Sequence, residues 1–551
     1  PLKSAAEGQV VAIVLFALIF GFAVTRIAPD RRAQLTGLFQ ALADALLVVV
    51  NWVLWLAPAG VFALALVAGV GVGLGQAPFS FIWLALPALG LALLWGMVAA
   101  DARQAAQRGW LVGFAIGMVA LVWIVEPFLV DIASDGWMAP FALLLMAGAF
   151  GCFWGASFWI SKRLASGRGI AAALAFSACL TAAELLRAYL FTGFPWALTS
   201  YIWIDTSVYQ MAAYLGPHGL TFGTLLLCST FVASLASRRF GAALAGVAGL
   251  GAAVLFGVWV LTPPPVDAGS KAPIVRLIQP NAEQNLKWDP EMIPVFYERQ
   301  LDLTRQPATP APDLIIWPEV AVSFLLDDPF APLAEITAAA GELPVILGAQ
   351  RFDGVRAFNS LAVLGPGREI AQVYDKQHLV PFGEYLPAAG LLRRLGLRAL
   401  AAQFGLGYSA GSGPRTLDLG DLGVVLPLIC YEAIFPHELR RVGLRPDWML
   451  QITNDAWFGA FSGPQQHFAQ ARARTIEFGL PMVRVANTGI SAVIDARGRV
   501  KDMLPMGVAG RIDVALPGPL PETLYWKTGD IPAAVLLLLV VLIVLRFRPK
   551  F

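Results

Sequence analysis

The chain has 551 residues, 58% of them hydrophobic and only 14% charged, with a net charge of +2 and a mean hydropathy of +0.67. That composition excludes an ordinary soluble protein and predicts an integral membrane protein. No Lys/Arg block of the kind that binds nucleic acid is present, so nucleic acid is not an expected partner.

Residues 9–24 are apolar and end at a charged break, Arg26, Asp30, Arg31 and Arg32. A second apolar run covers 39–57, with Asp44 and Asn51 inside it. Further runs long enough to cross a bilayer, which takes about 17 to 25 residues, fall near 58–75, 80–100, 110–130, 138–160, 170–191, 211–236 and 240–262, and a last one covers 531–545. Between 264 and 530 the composition is that of a soluble α/β domain, with Pro263, Pro264 and Pro265 at the junction. The predicted plan is therefore an extra hydrophobic segment (1–57), a transmembrane helical bundle (58–263), one large extramembrane domain (264–530), and a final helix with a basic tail (531–551).

Basic residues in short loops mark the cytoplasmic face. Arg103 and Arg108, then Lys162, Arg163 and Arg168, then Arg238 and Arg239, and finally Arg546, Arg548 and Lys550 are separated by pairs of spans. They fall on one side, which places 264–530 outside, in the periplasm of a bacterium, with the spans in its inner membrane. The first 60 residues break this pattern, because two spans between Arg32 and the span at 80–100 put the wrong charges inside. The run Ala45 to Leu64 resembles a fragment of a sodium:dicarboxylate symporter, too short to build a complete transport site.

In the outer domain, strands are predicted at Ile274 to Ile278, Asp313 to Trp317, Val345 to Gly348, Ser360 to Leu364, Val424 to Ile429, Met449 to Ile452, Met482 to Val485 and Ser491 to Ile494, with a helix at Gln465 to Phe478. A layered α/β sandwich follows. Of the four cysteines, Cys152, Cys179 and Cys228 lie in apolar runs, which leaves Cys430 as a free thiol at a strand end. Two other strand ends carry ionisable groups that a core does not tolerate unpaired: Trp317-Pro318-Glu319, and the segment from Tyr374 to Tyr385, which holds Lys376 and Glu384.

Glu319, Lys376 and Cys430 make chemical sense together. A thiol of free pKa about 8.5 can pass its proton to a neighbouring carboxylate, while an ammonium stabilises the thiolate and then the oxyanion of an acyl transfer. His378 and His467 have no second ligand at metal spacing, so no metal or other cofactor is expected.

The order Trp-Pro-Glu, then Lys376-Gln377-His378-Leu379-Val380-Pro381-Phe382-Gly383-Glu384, then Cys430-Tyr431-Glu432 resembles the nitrilase (carbon-nitrogen hydrolase) superfamily, whose members use Glu, Lys and Cys on an αββα sandwich. Placed after several spans, it is similar to the bacterial apolipoprotein N-acyltransferases. Supporting stretches are Asn285 to Asp289, Thr192 to Trp196, and Asn454 to Gly459 followed by Gln466-His467-Phe468, and the likeness runs from about residue 60 to the C-terminus. The resemblance implies a polytopic helical bundle carrying an αββα sandwich. It also implies a two-step transfer in which Glu319 deprotonates Cys430, the thiol takes an acyl chain from a membrane phospholipid, Lys376 holds the oxyanion, and the thioester passes to the N-terminal amine of a diacylglyceryl-cysteine apolipoprotein. Glu384, Glu432, Tyr431 and Trp288 match family positions that support the site or bind substrate.

A membrane-tethered amidase or nitrilase would use the same three residues with water as acceptor, and a transporter would rest on the N-terminal segment alone. The segment Leu391 to Phe404, with Leu391, Leu392, Leu395, Leu397 and Leu400 beside Arg393, Arg394 and Arg398, reads either as a basic amphipathic stretch at the membrane surface or as a surface helix on the sandwich.

Overall fold

The computed structural model describes residues 10–165, 167, 169–238, 240–264, 272–341, 343–367, 369–387 and 407–546. The segment 391–404 lies outside the described residues. The chain forms two compact units, residues 1–64 and 65–551.

The first unit is built from helix Val10–Val24 and most of helix Pro29–Gly73. Its apolar side chains point outward: Leu18, Phe22, Leu38 and Trp52 are all exposed. Such a surface suits a lipid environment, where apolar exposure costs nothing. The two spans expected at 39–57 and 58–75 are one continuous helix.

The second unit begins with helices whose contacts are made by small residues. Helix Ala102–Ala120 carries Gly109, Gly113 and Gly117 one turn apart on one face, against helix Ala139–Leu164. A Cβ at Gly113 would come within 2.7 Å of Trp154 and 2.9 Å of the Gly151 backbone, so the two backbones approach as closely as glycine permits. Packing of this kind substitutes for the hydrophobic drive that helices lack inside a bilayer.

The chain has five helices long and apolar enough to cross a membrane among the described residues, or six when a bent pair is taken as one, and it is a multi-pass membrane protein. That bent pair corrects the span expected at 110–130. Helix Ala102–Ala120 stops at Leu121 and continues as a 3₁₀ turn, Val122–Leu129, at 47° to it. Glu126 and Pro127 lie in the turned segment; proline lacks the N–H that a continuing helix needs. The runs expected at 80–100 and 531–545 form helices of 16 residues each, Ile82–Met97 and Ile531–Arg546.

The α/β part has two six-stranded sheets. The first is ordered β12-β1-β2-β3-β4-β5 and the second β11-β10-β9-β8-β7-β6. Here β1 is Ile274–Gln279, β2 Leu314–Ile316, β3 Val345–Asp353, β4 Arg356–Leu364, β5 Ile370–Asp375, β6 Leu417–Asp418, β7 Val424–Ile429, β8 Trp448–Thr453, β9 Met482–Ala486, β10 Ser491–Ile494, β11 Val500–Leu504 and β12 Gly510–Ala515. The strands β1-β2-β3 and β7-β8-β9 are parallel and their neighbours antiparallel. β1 touches β9 and β10, and β4 touches β7, so the sheets lie face to face.

Helices cover the outer faces. Leu301 of helix Met292–Arg305 and Ile336 of helix Leu333–Ala340 pack with Ile278, Ile315 and Val345 of the first sheet. Ala471 and Phe478 of helix Gly463–Phe478 pack with Leu426, Leu428 and Met449 of the second. The result is the αββα sandwich expected from the sequence. After β12 the chain returns to the bundle, where Leu537 and Val540 of helix Ile531–Arg546 pack with Ala178 and Phe222.

Candidate active site

Each of the three ionisable groups predicted at strand ends sits where a strand stops. β7 delivers Cys430, which adopts a left-handed backbone, φ +52°, and opens the 3₁₀ turn Cys430–Ile434. A non-glycine residue in that region is strained and persists only where its surroundings hold it. Glu432 supplies one hold: its Oε2 accepts from the Ile429 N–H at 2.7 Å, while its Oε1 accepts from the Gln377 N–H at 2.7 Å and the Tyr374 hydroxyl at 2.9 Å. One carboxylate thus joins the ends of β7 and β5, and so the two sheets.

β5 delivers Lys376, whose backbone N–H donates to Asn359 of β4 at 2.8 Å. The Lys376 ammonium is buried, 2.9 Å from Glu384 Oε1 and 3.5 Å from Glu319 Oε1. Glu384 is fixed in turn by the Val380 N–H at 2.8 Å. β2 leads through Trp317 and Pro318 to Glu319. There β3 has Gly348, where a Cβ would come within 2.6 Å of the Glu319 Cα, so any larger residue would push this carboxylate out of place. Glu319 accepts from Asn359 Nδ2 at 2.8 Å and from the Asn454 N–H at 2.7 Å.

The electrostatics follow from this packing. Burial pulls the Lys376 amine down, but Glu384, Glu319 and Cys430 outweigh it and the group is held above its ordinary value, always charged. Burial and then Glu319 push the Cys430 thiol well up, against the pull of Lys376, so the resting sulfur keeps its proton. Glu432 is pushed up by burial to about 7, in spite of its hydrogen bonds.

Tyr431 is buried, its ring edge-on to His378 at 5.6 Å and to Phe435 at 4.9 Å. Trp288 stands a step away on the loop after β1, 45% exposed, and lines a small cavity together with Pro318 and Val320.

Behind the thiol lies a second set of residues, of which the sequence motifs contained Asp455 and His467 but gave no sign of Gln451 and Arg484. Gln451 Nε2 donates to the Cys430 carbonyl oxygen at 3.0 Å, and His467 Nε2 lies 3.1 Å from that oxygen. His467 Nδ1 is 2.9 Å from Asp455, which also accepts from Arg484 at 2.7 Å, and Arg484 Nε donates to Gln451 Oε1 at 3.0 Å. Asp455 is held far below the usual carboxylate range because Arg484 and His467 overcome the cost of its burial. His467 is therefore committed to a carboxylate and a backbone carbonyl, and His378 to Glu438 at 3.0 Å. Among the described residues no group of three or more His, Cys, Asp or Glu is placed to hold a metal ion.

Such an arrangement can move a proton from sulfur to carboxylate and hold an oxyanion beside an ammonium, the requirements of acyl transfer through a thioester. Residues 68–230 match the apolipoprotein N-acyltransferase N-terminal domain, residues 275–516 match the carbon-nitrogen hydrolase family, and residues 1–105 match the sodium:dicarboxylate symporter family. An apolipoprotein N-acyltransferase from Bradyrhizobium diazoefficiens is 40% identical over 68% of this chain and 73% of its own length. Another from Rhodopseudomonas palustris is 34% identical over 88% of this chain and 95% of its own. Among solved structures, a CN-hydrolase superfamily protein from Xanthomonas campestris is 20% identical, covers 48% of this chain and 96% of its own, and gives a TM-score of 0.33.

Proposed function

Because the chain belongs to the apolipoprotein N-acyltransferase family, we propose that it moves an acyl chain from a membrane phospholipid to the N-terminal amine of a diacylglyceryl-cysteine apolipoprotein, through a thioester on Cys430. The observation that carries this reading is the convergence of Glu319, Lys376 and Cys430 from three strand ends of two sheets.

In the first step the Cys430 S–H gives its proton to Glu319 and the sulfur attacks the ester carbonyl of the lipid. The oxyanion forms beside Lys376, whose charge is secured by Glu384 and costs no reorganisation. Collapse breaks the ester C–O bond, Glu319 returns its proton to the leaving lysophospholipid oxygen, and the thioester remains. In the second step the acceptor amine attacks the thioester, Glu319 takes the amine proton, and the proton passes to the departing thiolate. A raised thiol pKa fits this order of events, because the sulfur then ionises only as it attacks. Glu384 and Glu432 hold the lysine and the turn at Cys430, while Tyr431 and Trp288 shape the approach of substrate.

The α/β domain is assigned to the periplasmic side of the inner membrane, from the basic loops at Arg103, Lys162 and Arg238. The thiol must work near the bilayer, since each acyl CH₂ drawn into water costs about 0.8 kcal/mol. Residues 1–57 are read as an added segment outside the catalytic plan.

The test is mass spectrometry of the protein incubated with phospholipid. An acyl adduct is expected on the Cys430 peptide and is expected to vanish on adding a diacylglyceryl-cysteine peptide, with the chain recovered on the peptide amine. An adduct that discharges only as free fatty acid would make the protein a hydrolase instead.

A further inference from the structure

Beneath helix Met292–Arg305, at the edge of the first sheet where β1 and β2 end, lies a cavity of about 30 Å³, room for one or two waters. Its walls include Lys287 and Trp288 from the loop after β1, Gln300 from the helix, Pro318 and Val320 on either side of Glu319, and Asn487 after β9. Two of these residues carry polar groups that the fold leaves unsatisfied. Gln300 is 2% exposed. Its Nε2 donates to the Ala321 carbonyl at 2.9 Å and the Phe296 carbonyl at 3.3 Å, which fixes the way the amide points, and its Oε1 is buried with no partner, a costly state for an acceptor. Lys287 is 9% exposed. Among the described residues its ammonium makes no hydrogen bond or ion pair, and its contact is the face of the Trp288 ring, 5.7 Å from Nζ.

The layers of the molecule place this cavity. Helix Gly463–Phe478 lies between the second sheet and the bundle: Ala469, Ala473 and Ile476 pack with Tyr201, Val208 and Tyr209 of the turns Thr199–Trp203 and Ser207–Met211, while Ala471 and Phe478 face the sheet. The first sheet is one layer further out, about 10 Å at the usual spacing of stacked sheets. The site is therefore divided, with Cys430 on the sheet nearer the bundle and Glu319 on the sheet away from it. The cavity goes with Glu319. Asn487 Nδ2 donates to Asn454 Oδ1 at 2.9 Å, and the Asn454 N–H donates to Glu319 at 2.7 Å, so two hydrogen bonds join the cavity wall to that carboxylate.

An occupant has to bring an acceptor for an ammonium and a donor for a neutral carbonyl. A phosphate or a carboxylate would answer Lys287 but set a second acceptor against Gln300 Oε1. A backbone peptide group carries one C=O and one N–H, and these take the room of the two waters. The position agrees, because a lipid headgroup stays with its bilayer whereas the polypeptide of a lipoprotein leads away from it. We propose that this cavity is the subsite for the acceptor's polypeptide, where a peptide group just beyond the reacting amine gives its C=O to Lys287 and its N–H to Gln300 Oε1. This rests on the acyl-transfer reading above. Held there, the acceptor presents its amine from the Glu319 side, and the second step gains a preference for a peptide-borne amine over water.

The experiment loads Cys430 of the full-length protein from phospholipid vesicles and follows transfer to diacylglyceryl-cysteine peptides. One acceptor is all amide, and in two others the first or the second peptide bond is an ester, which keeps the C=O and removes the N–H. In the wild type one of the two esters should raise the acceptor KM roughly threefold to tenfold with kcat little changed, the effect of one neutral hydrogen bond. Gln300→Met should raise the KM of the all-amide acceptor by the same factor and lose the discrimination, the two effects not adding. Lys287→Met should raise it roughly tenfold or more, as for a hydrogen bond from a charged group, with loading of Cys430 changed less than about twofold.

Equal KM for all three acceptors in the wild type would overturn the proposal, a result that does not depend on how the variants fold. Ester discrimination that survives Gln300→Met would overturn it too. A Lys287→Met protein that shifts loading between phosphatidylethanolamine and phosphatidylglycerol vesicles, with acceptor KM unmoved, would give the cavity to a lipid headgroup and overturn it equally. A loaded Cys430 that passes its chain to water and to no peptide would instead sink the acyl-transfer reading itself, which separates the two failures.

Discussion

Cys430 stands between two buried ionic groups that differ in how completely they are satisfied. On the sulfur side, Lys376 sits 2.9 Å from Glu384 but 3.5 Å from Glu319, so the charge is anchored by one carboxylate and lent to the other. On the carbonyl side, Asp455, His467, Arg484 and Gln451 meet at 2.7 to 3.0 Å, with Asp455, His467 and Arg484 fully buried. The same chemistry of buried charge serves two ends. In the proposed mechanism the looser pair supplies the base, whereas the saturated network holds the strained backbone at Cys430.

The comparison breaks most sharply on the sulfur side. Glu319→Gln or Lys376→Met should lower thioester formation per folded molecule by a factor of about 10³ or more, as loss of a base or an oxyanion partner does; Lys376→Met should also lower the melting temperature, because it leaves Glu319 and Glu384 without their buried cation. A large fall in stability without loss of thioester formation would mean that these residues belong to the scaffold.

Asp455→Asn should show the opposite balance. Removing one partner of a buried pair leaves Arg484 uncompensated and should cost about 3 to 5 kcal/mol of stability, read as a drop in the thermal midpoint of the purified protein. Thioester formation per folded molecule should fall far less than in Glu319→Gln.

Glu432 gives a pH signature. Burial raises its carboxyl from an ordinary value of 4.5 to about 7, so the folded state binds the proton more tightly, and this contribution to stability is present below about 4.5 and is lost as pH rises through 7. Stability measured across that window should fall with rising pH in the wild type, and the slope should flatten in Glu432→Gln. An identical slope in the variant would assign the titration to another group, such as Glu477, which burial also raises to about 7.

The smallest effect is expected from removing residues 1–57. Acyl transfer, normalised to the inserted protein, should stay within about twofold, because none of the site contacts described above involves them. Lost transfer with normal insertion would tie that segment to the enzyme.

Legibility followed the same divide. Cys430 and Glu319 were visible because each ends an apolar run, where a polar residue breaks the pattern, and Lys376 through the motif that runs from it to Glu384. Gln451 and Arg484 were not, because each sits inside a strand that reads as apolar, Met449 to Ile452 and Met482 to Val485, and nothing local says that the two side chains meet. Asn359 was hidden in the same way at the start of a predicted strand, although it bonds both Glu319 and Glu384. Both helices of the first sheet's outer face, Met292–Arg305 and Leu333–Ala340, escaped notice; the first mixes polar and apolar residues in near-equal number and the second is only eight residues long. In the membrane half, hydropathy counted Val122 to Leu129 as part of a straight span, since composition alone carries no record of a bend.

The α/β sandwich leaves the helical bundle after Phe240–Leu261 and rejoins it through Ile531–Arg546. Leashed at both ends, it cannot tumble, and its reactive face keeps one orientation towards whatever lies beneath. A substrate confined to the bilayer then meets it by lateral diffusion, a search in two dimensions at a local concentration set by mole fraction in the leaflet and not by the amount in solution. Rate should accordingly track the surface density of donor in a vesicle and stay indifferent to dilution of the vesicles themselves.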